Sequence, residues 1–146
     1  MNLTISVGIP TYLRGDILCK TLENVLPRLG NCVIEVVVAD QCPNYPAEIF
    51  ARLNHLLEHP SIKYIMLNRT GLTIARNAIL AAAQGDVVVF LDDDVLVPSN
   101  FFDTYAEAFE QTGADVVLGQ VYQLPFSEVT SSIAEELCNK ATARFL

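Results

Sequence analysis

The chain is poor in basic residues, with 9 Lys and Arg against 17 Asp and Glu, so that its formal net charge is −8 over 146 residues. No cluster of basic residues offers a surface for a phosphate backbone, which argues against a nucleic-acid partner. An acidic protein that binds an anionic ligand needs a cation between the two. Because 51% of the residues are hydrophobic and only 18% are charged, we expect one packed domain rather than disorder.

The cysteines lack any C-x-x-C pair and any zinc-finger spacing, which excludes the common structural zinc modules. They are Cys19, Cys32, Cys42 and Cys138. Because Met1 and Asn2 lead directly into the first predicted strand, no signal peptide is expected. We therefore predict free thiols and a cytoplasmic location, including the cytoplasmic face of a membrane. No apolar run approaches the roughly 20 residues that cross a bilayer, so no membrane span is predicted.

Apolar alternation and helical spacing predict strands that alternate with helices. The predicted strands are Leu3–Ile9 (with Pro10 as its stop), Val33–Ala39, Ile62–Leu67, Val87–Leu91 and Val116–Val121. The predicted helices are Asp16–Leu29, Ala47–Glu58, Leu72–Ala83 and Asn100–Thr112, the last capped by Ser99. This alternation is typical of an α/β fold with a mostly parallel sheet and helices on both faces. We assign residues 1–125 to this domain and residues 126–146 to a helical tail.

Three consecutive aspartates, Asp92, Asp93 and Asp94, follow the uninterrupted apolar run Val87–Leu91. Such a run indicates a strand buried on both faces, and its end lies at the carboxyl edge where open α/β folds bind ligands. Adjacent carboxylates repel one another, and hard oxygen ligands suit Mg²⁺ or Mn²⁺, especially when substrate phosphates complete the coordination. The ordinary alternatives are a solvated acidic turn and an N-cap for the helix that starts near Ser99, but one capping residue would explain one aspartate and not three.

Two other predicted strands also end in side chains that can bind a ligand. The first strand is followed by Pro10, Thr11 and Tyr12, and the second by Asp40. A nucleotide requires a stacking surface for its base, an acceptor for base N–H groups and a metal for its phosphates. We predict that Tyr12 supplies the stacking surface, Asp40 the acceptor and the triple aspartate the metal site. Taken singly, Tyr12 would be an ordinary surface aromatic and Asp40 a turn residue.

Four motifs that contain these residues follow one another in order. They are Val7-Gly-Ile-Pro-Thr-Tyr12, Glu35-Val-Val-Val-Ala-Asp40, Gly71-Leu-Thr-Ile-Ala-Arg-Asn77 and Ala83-Gln-Gly-Asp-Val-Val-Val-Phe-Leu-Asp-Asp-Asp94. Together they resemble the nucleotide-sugar-binding half of a family-2 glycosyltransferase with the Rossmann-like GT-A fold, over roughly residues 3 to 121. By this resemblance the fold would be present in truncated form, with residues 126–146 as the start of an incomplete acceptor region.

The resemblance implies a role for each matching residue of the nucleotide site. Pro10, Thr11 and Tyr12 would line the nucleoside, and Asp40 would hydrogen-bond the base, commonly uracil. Arg76 would stand near the phosphates, where a guanidinium can pair an oxyanion in a bidentate manner. A surface arginine paired with a nearby acid is the ordinary alternative for Arg76.

The resemblance also implies a DxD motif that binds a metal. Asp94 would hold Mn²⁺ or Mg²⁺ on the donor diphosphate with Asp92 as its partner, and Asp93 would touch ribose or metal. The implied reaction transfers a sugar from a nucleotide-diphosphate donor, such as a UDP-sugar, to the hydroxyl of an unknown acceptor. That acceptor would be a glycan, a lipid or a small molecule.

Two departures from the family pattern limit these expectations. The four residues after Asp40, Gln-Cys-Pro-Asn, replace the family's usual Gly-Ser or Asn-Gly-Ser turn, which leaves the identity of the base open. The acceptor-binding half is not recognisable after the fifth predicted strand. Glu128, Glu135 and Glu136 are predicted on a solvated helix face, so no general base is assigned.

Two alternatives stay open. One is a catalytically incomplete nucleotide-sugar-binding module or a fragment of a larger transferase, whose exposed sheet edge would permit self-association. The other is a zinc hydrolase, because His55-Leu-Leu-Glu58-His59 matches the H-x-x-E-H signature. Pro60 follows directly and the chain has no other histidine, so two surface histidines at a helix end are the favoured interpretation.

Overall fold

Four parallel strands make up one sheet in a computed structural model, which describes residues 3–123 together with residues 130, 132, 133, 135 and 136. The strands are β1 (Ile5–Thr11), β2 (Val33–Asp40), β3 (Ile62–Met66) and β4 (Val87–Phe90). Their order in the sheet is β3-β2-β1-β4, and all three neighbouring pairs are parallel. The carboxyl ends of all four strands therefore meet at one edge.

Helices cover both faces of this sheet, which confirms the predicted fold class. The helices are α1 (Gly15–Val25), α2 (Ala47–Leu57), α3 (Leu72–Ala82) and α4 (Phe101–Thr112). Side chains of β2 alternate between two cores, because successive residues of a strand point to opposite faces. Val36 and Val38 pack with residues of α1, α2 and α4, whereas Val37 and Ala39 pack with Ala75 and Ile79 of α3.

β1 continues through Pro10 to Thr11, so the predicted stop at Pro10 is wrong. In a strand that lies between two others, successive residues point their backbone N–H and C=O groups alternately toward one neighbouring strand and the other. The Gly8 carbonyl accepts from Leu91 and the Thr11 carbonyl accepts from Gln41. Pro10 therefore turns its nitrogen toward the β4 side, where the paired strand has already ended at Phe90. A proline is tolerated there because no ladder hydrogen bond is lost.

α1 is shorter than predicted, and a 3₁₀ turn from Leu26 to Arg28 replaces its last predicted turn. Pro27 lacks the N–H that the next α-helical hydrogen bond requires, which explains the change. The cap of α4 is also different, since Asn100 rather than Ser99 is its N-cap residue. The Ser99 hydroxyl instead donates to Glu135 at 2.5 Å.

The predicted fifth strand at Val116–Val121 is wrong, because these residues have no regular secondary structure. Val116, Leu118 and Val121 are 72%, 89% and 80% exposed. A β-branched pattern predicts a strand only where a neighbour satisfies its backbone groups, and no described strand pairs with this segment. Most of the predicted helical tail, residues 126–146, lies outside the described residues.

Among the described residues, no helix combines the length and the apolar character needed to cross a bilayer. Cys19, Cys32 and Cys42 are free thiols there, as expected. Burial raises the pKa of Cys19 and of Cys32 above the ordinary thiol value.

Glu35 is a buried acid at the amino edge of the sheet, opposite the carboxyl edge where the predicted site residues lie. The carboxylate of Glu35 accepts from the Ser6 hydroxyl at 2.7 Å and from the Gln84 backbone N–H at 2.6 Å. The Ser6 hydroxyl oxygen also accepts from the Gly85 N–H at 2.8 Å. These contacts join β1, β2 and the turn before β4, so Glu35 has a structural role here.

We predict that Gly8→Ala lowers the free energy of unfolding by about 1–3 kcal/mol, the usual cost of overpacking. The added Cβ would lie 2.6 Å from Ile79 Cγ2 and 3.2 Å from Phe90 Cδ1. Urea denaturation followed by circular dichroism measures the loss. Gly8→Ala should cost less in an Ile79→Ala background, where Cγ2 is gone. An equal cost in both backgrounds would contradict the assigned contact.

Candidate functional site

A cleft of about 460 Å³ opens at the carboxyl edge of the sheet, where the ends of β1, β2 and β4 meet. Six of the seven residues predicted from the strand ends line it: Pro10, Thr11, Tyr12, Asp92, Asp93 and Asp94. The remaining lining residues come from the loop before α1, the end of β2 and the start of α3: Arg14, Gln41, Thr70, Gly71 and Leu72. Asp40 and Arg76 stand beside this cleft rather than in its wall.

The three aspartates have different surroundings. Asp93 is buried, and its Oδ2 accepts from the Thr11 hydroxyl at 2.6 Å while its Oδ1 accepts from Arg14 Nη1 at 2.9 Å. Its backbone carbonyl accepts from the Thr21 hydroxyl at 2.6 Å. The side chains of Asp92 and Asp94 are 69% and 46% exposed. Asp93 therefore ties β4 to β1, while its two neighbours present oxygens to the cleft.

Arg14 is a site residue that the sequence patterns did not predict. One nitrogen, Nη1, donates to Asp93 at 2.9 Å and to Asp94 at 2.8 Å. These hydrogen bonds raise the pKa of Arg14 further above its already high ordinary value. The signal in the sequence was a single basic residue, three positions after Thr11, in the first loop of an acidic chain.

The aspartates fit a divalent cation that shares its ligands with a substrate, rather than one held by protein alone. Within the described residues, no group of three or more His, Cys, Asp or Glu side chains could hold a metal by itself. Asp92 and Asp94 offer two exposed carboxylates in the same cleft. Mg²⁺ is usually held in this way, by one or two carboxylates with substrate phosphates and waters.

Arg76 lies on α3, close to the first aspartate of the cluster. Its Nη2 is 4.0 Å from Asp92 Oδ1, and its guanidinium lies 5.7 Å from the centroid of the Phe90 ring. The side chain is 44% exposed. Arg76 therefore stands next to the proposed metal ligands, where a phosphate could reach it, and its phosphate-binding role stays a prediction.

Asp40 is completely buried, with both carboxylate oxygens occupied by groups of the protein. Oδ2 accepts from the hydroxyls of Tyr45 at 2.9 Å and Tyr64 at 2.7 Å, and Oδ1 accepts from the Cys42 N–H at 2.8 Å. The pKa of both tyrosines is raised well above its ordinary value. Burial is the larger cause, and the hydrogen bond to Asp40 is the second. A nucleotide base would have to displace one of these donors to reach Asp40, and its base-binding role stays a prediction.

Gln41, the next residue, joins the cleft wall to β2. Its Nε2 donates to the carbonyls of Arg69 at 2.7 Å and Gly71 at 3.1 Å, and its Oε1 accepts from the Gly71 N–H at 3.3 Å. Gly71 has φ of 141°, a conformation that favours glycine. Gln41 thus holds the loop that leads into α3, and this loop forms one wall of the cleft.

The sequence model described as Glycosyl transferase family 2 matches residues 6–140. The chain belongs to this family. The glycosyltransferase GlyG of Streptococcus pneumoniae serotype 4 is 25% identical over 129 residues, which make up 88% of this chain and 42% of that protein. The succinoglycan biosynthesis protein ExoM of Rhizobium meliloti is 31% identical over 124 residues, or 82% of this chain and 39% of that protein. The family 2 chain thus spans less than half the length of these relatives.

A solved structure supports the GT-A fold of this family 2 chain. The mannosyltransferase PcManGT of Pyrobaculum calidifontis, in complex with GDP-Man and Mn²⁺, superposes with a TM-score of 0.61 and is 27% identical. The match covers 80% of this chain and 34% of that one. The family resemblance and the fold inferred from the sequence are therefore confirmed.

The histidine pair is not arranged as a zinc site. α2 ends at Leu57, so Glu58 and His59 lie beyond its last helical residue. The side chain of His55 is 87% exposed and its Nδ1 is 3.7 Å from Glu58 Oε2, whereas Nδ1 of His59 accepts from the Ser61 N–H at 3.3 Å. The two histidines of this family 2 chain are thus surface residues at a helix end.

We predict that the free energy of unfolding falls as the pH rises above about 10, the unfolded pKa of tyrosine. A tyrosine whose pKa is raised by folding contributes its full stability below that unfolded pKa and loses it as the pH approaches the folded pKa. Tyr64→Phe should therefore make the decline shallower in urea denaturation at alkaline pH. Tyr122→Phe, a substitution at a partly exposed tyrosine, is the control. Equal slopes for both variants would contradict the prediction.

Proposed function

We propose that the cleft binds the diphosphate of a nucleotide-sugar donor through Mn²⁺ or Mg²⁺, for transfer of the sugar to an acceptor hydroxyl. The observation that carries this proposal is the position of two exposed carboxylates, Asp92 and Asp94, in the same cleft as Tyr12. Belonging to family 2, together with a solved relative that holds GDP-Man and Mn²⁺, supports it.

Each part of the cleft would bind a different part of the donor. The ring of Tyr12, 47% exposed, offers an aromatic face for the base next to Pro10. Asp94 and Asp92 would hold the cation on the diphosphate. Asp93 would hold the backbone between these two ligands in place rather than bind the cation, because its own oxygens accept from Thr11 and Arg14.

The chemistry requires that the leaving diphosphate be stabilised as its negative charge develops. A divalent cation, when bound, supplies Lewis-acid stabilisation of that charge. Arg14 and Arg76 add two cationic side chains at the same aspartates, at 2.8 Å from Asp94 and 4.0 Å from Asp92. A general base must also deprotonate the acceptor hydroxyl. None is assigned among the described residues.

The alternative is a module that binds the donor without completing the transfer. The chain covers 42% and 39% of the length of two relatives and 34% of a solved structure, and no general base is assigned among its described residues. Hydrolysis and transfer assays with nucleotide sugars separate the two. Release of nucleoside diphosphate that depends on an acceptor supports transfer, whereas donor binding without turnover supports the module.

We predict that Mn²⁺ tightens the binding of UDP or GDP by about tenfold or more, because Asp92 and Asp94 would hold a cation that attracts the anionic diphosphate. Asp94→Asn should abolish this effect of the metal, since it removes an anionic ligand while keeping the shape of the side chain. Isothermal titration of UDP and of GDP, with and without Mn²⁺, measures both effects and compares the two bases.

Asp115→Asn provides the matched control, because Asp115 is exposed and lies outside the cleft. It removes the same charge and should leave the effect of Mn²⁺ unchanged. The proposal fails if neither nucleotide binds more tightly with Mn²⁺, or if Asp94→Asn and the control behave alike.

A further inference from the structure

Arg14 occupies a position that local backbone preferences disfavour. The preceding Leu13 has φ of 58°, in the left-handed region that bulky side chains rarely adopt. Arg14 is the N-cap residue of α1 and makes no capping hydrogen bond with its side chain. A cation at this end of a helix also opposes the helix dipole. Departures from local preference at one site are typical of residues placed for function.

Arg14 forms ion pairs with two carboxylates, which offset the unfavourable backbone and dipole terms. The two carboxylates differ in their surroundings. Asp93 is buried and accepts from Thr11 as well as from Arg14, so it keeps one of these hydrogen bonds when Arg14 moves. Asp94 is 46% exposed, and Arg14 Nη1 contacts its Oδ2 at 2.8 Å. The side chain of Arg14 is itself 48% exposed, so it can leave Asp94 without crossing a packed core.

The same Asp94 carboxylate is the metal ligand in the proposed function, so a cation that binds it meets Arg14 there. Two positive charges cannot share one carboxylate oxygen without repulsion. We propose that Arg14 is the counter-ion of Asp94 in the metal-free protein and moves from Asp94 to the donor diphosphate when the divalent cation binds. This inference rests on the proposed function and deepens it, because it assigns Arg14 to the coupling between metal and nucleotide.

A guanidinium suits this exchange because it binds carboxylate and phosphate oxygens with the same planar set of donors. Without nucleotide, displacement of Arg14 opposes metal binding. With nucleotide, the displaced Arg14 gains a new anionic partner, so metal and diphosphate favour each other's binding. Such coupling is reciprocal, and each ligand must change the affinity of the other by the same factor.

The first test measures Mn²⁺ binding alone, by electron paramagnetic resonance of free Mn²⁺. We expect Arg14→Gln to bind Mn²⁺ about two- to fivefold more tightly than wild type, the scale of one exposed ion pair. Arg52→Gln removes the same charge from a pair with Asp16 and Glu23 outside the cleft, and should leave Mn²⁺ affinity unchanged. Equal effects of both substitutions would overturn the inference.

The second test measures UDP and GDP binding at saturating Mn²⁺, using whichever nucleotide binds the wild type more tightly. Arg14→Gln should weaken this binding by about tenfold, because a charge-assisted contact to the diphosphate is lost. Arg14→Lys keeps the charge but loses the guanidinium fork, so Mn²⁺ affinity should stay near wild type while nucleotide affinity falls. Arg14→Lys also serves if Arg14→Gln does not fold.

The outcomes separate this inference from the function on which it rests. If wild type shows no Mn²⁺-dependent nucleotide binding, the proposed function itself fails. If wild type shows it but Arg14→Gln changes neither affinity, or changes both in the same direction, only the role of Arg14 fails. Tighter metal binding together with weaker nucleotide binding supports the exchange.

Discussion

The buried carboxylate of Asp93 joins the end of β4 to the end of β1, and the cleft depends on this joint. Its two oxygens accept from Thr11 and Arg14, and its carbonyl accepts from Thr21. A buried carboxylate without such donors would carry a large desolvation cost, so these contacts and the burial require each other. Because Asp93 takes the inward position, Asp92 and Asp94 stay exposed on the cleft.

The acids at the two edges of the sheet divide into buried and exposed ones. At the amino edge, Glu35 is enclosed by hydrogen bonds from Ser6 and Gln84 and joins the strands there. At the carboxyl edge, Asp40 is enclosed in the same way by Tyr45 and Tyr64, although it stands in a family motif. Glu35 and Asp40 are both buried and hydrogen-bonded by the protein, whereas Asp92 and Asp94 keep the exposure that a ligand-binding acid needs.

The four strands of the sheet and the helices α1 to α4 were predictable because apolar periodicity indicates which faces are buried. The errors arose where a residue's role depends on a neighbour. Pro10 remains in β1 because β4 ends before reaching it, and Val116–Val121 forms no strand because no described strand pairs with it. Arg14 went unpredicted because its partners stand 79 and 80 residues away in the chain.

The sequence by itself determined the fold class, the family and the residue types at the strand ends, since these follow from local patterns and ordered motifs. The tertiary structure decided which of the acids face the cleft and which are enclosed. Asp40 turned out to be occupied by two tyrosines, and Gln41 became the residue that holds the cleft wall. These assignments depend on hydrogen bonds and burial between segments far apart in the chain, and a local pattern of residues carries no record of such contacts.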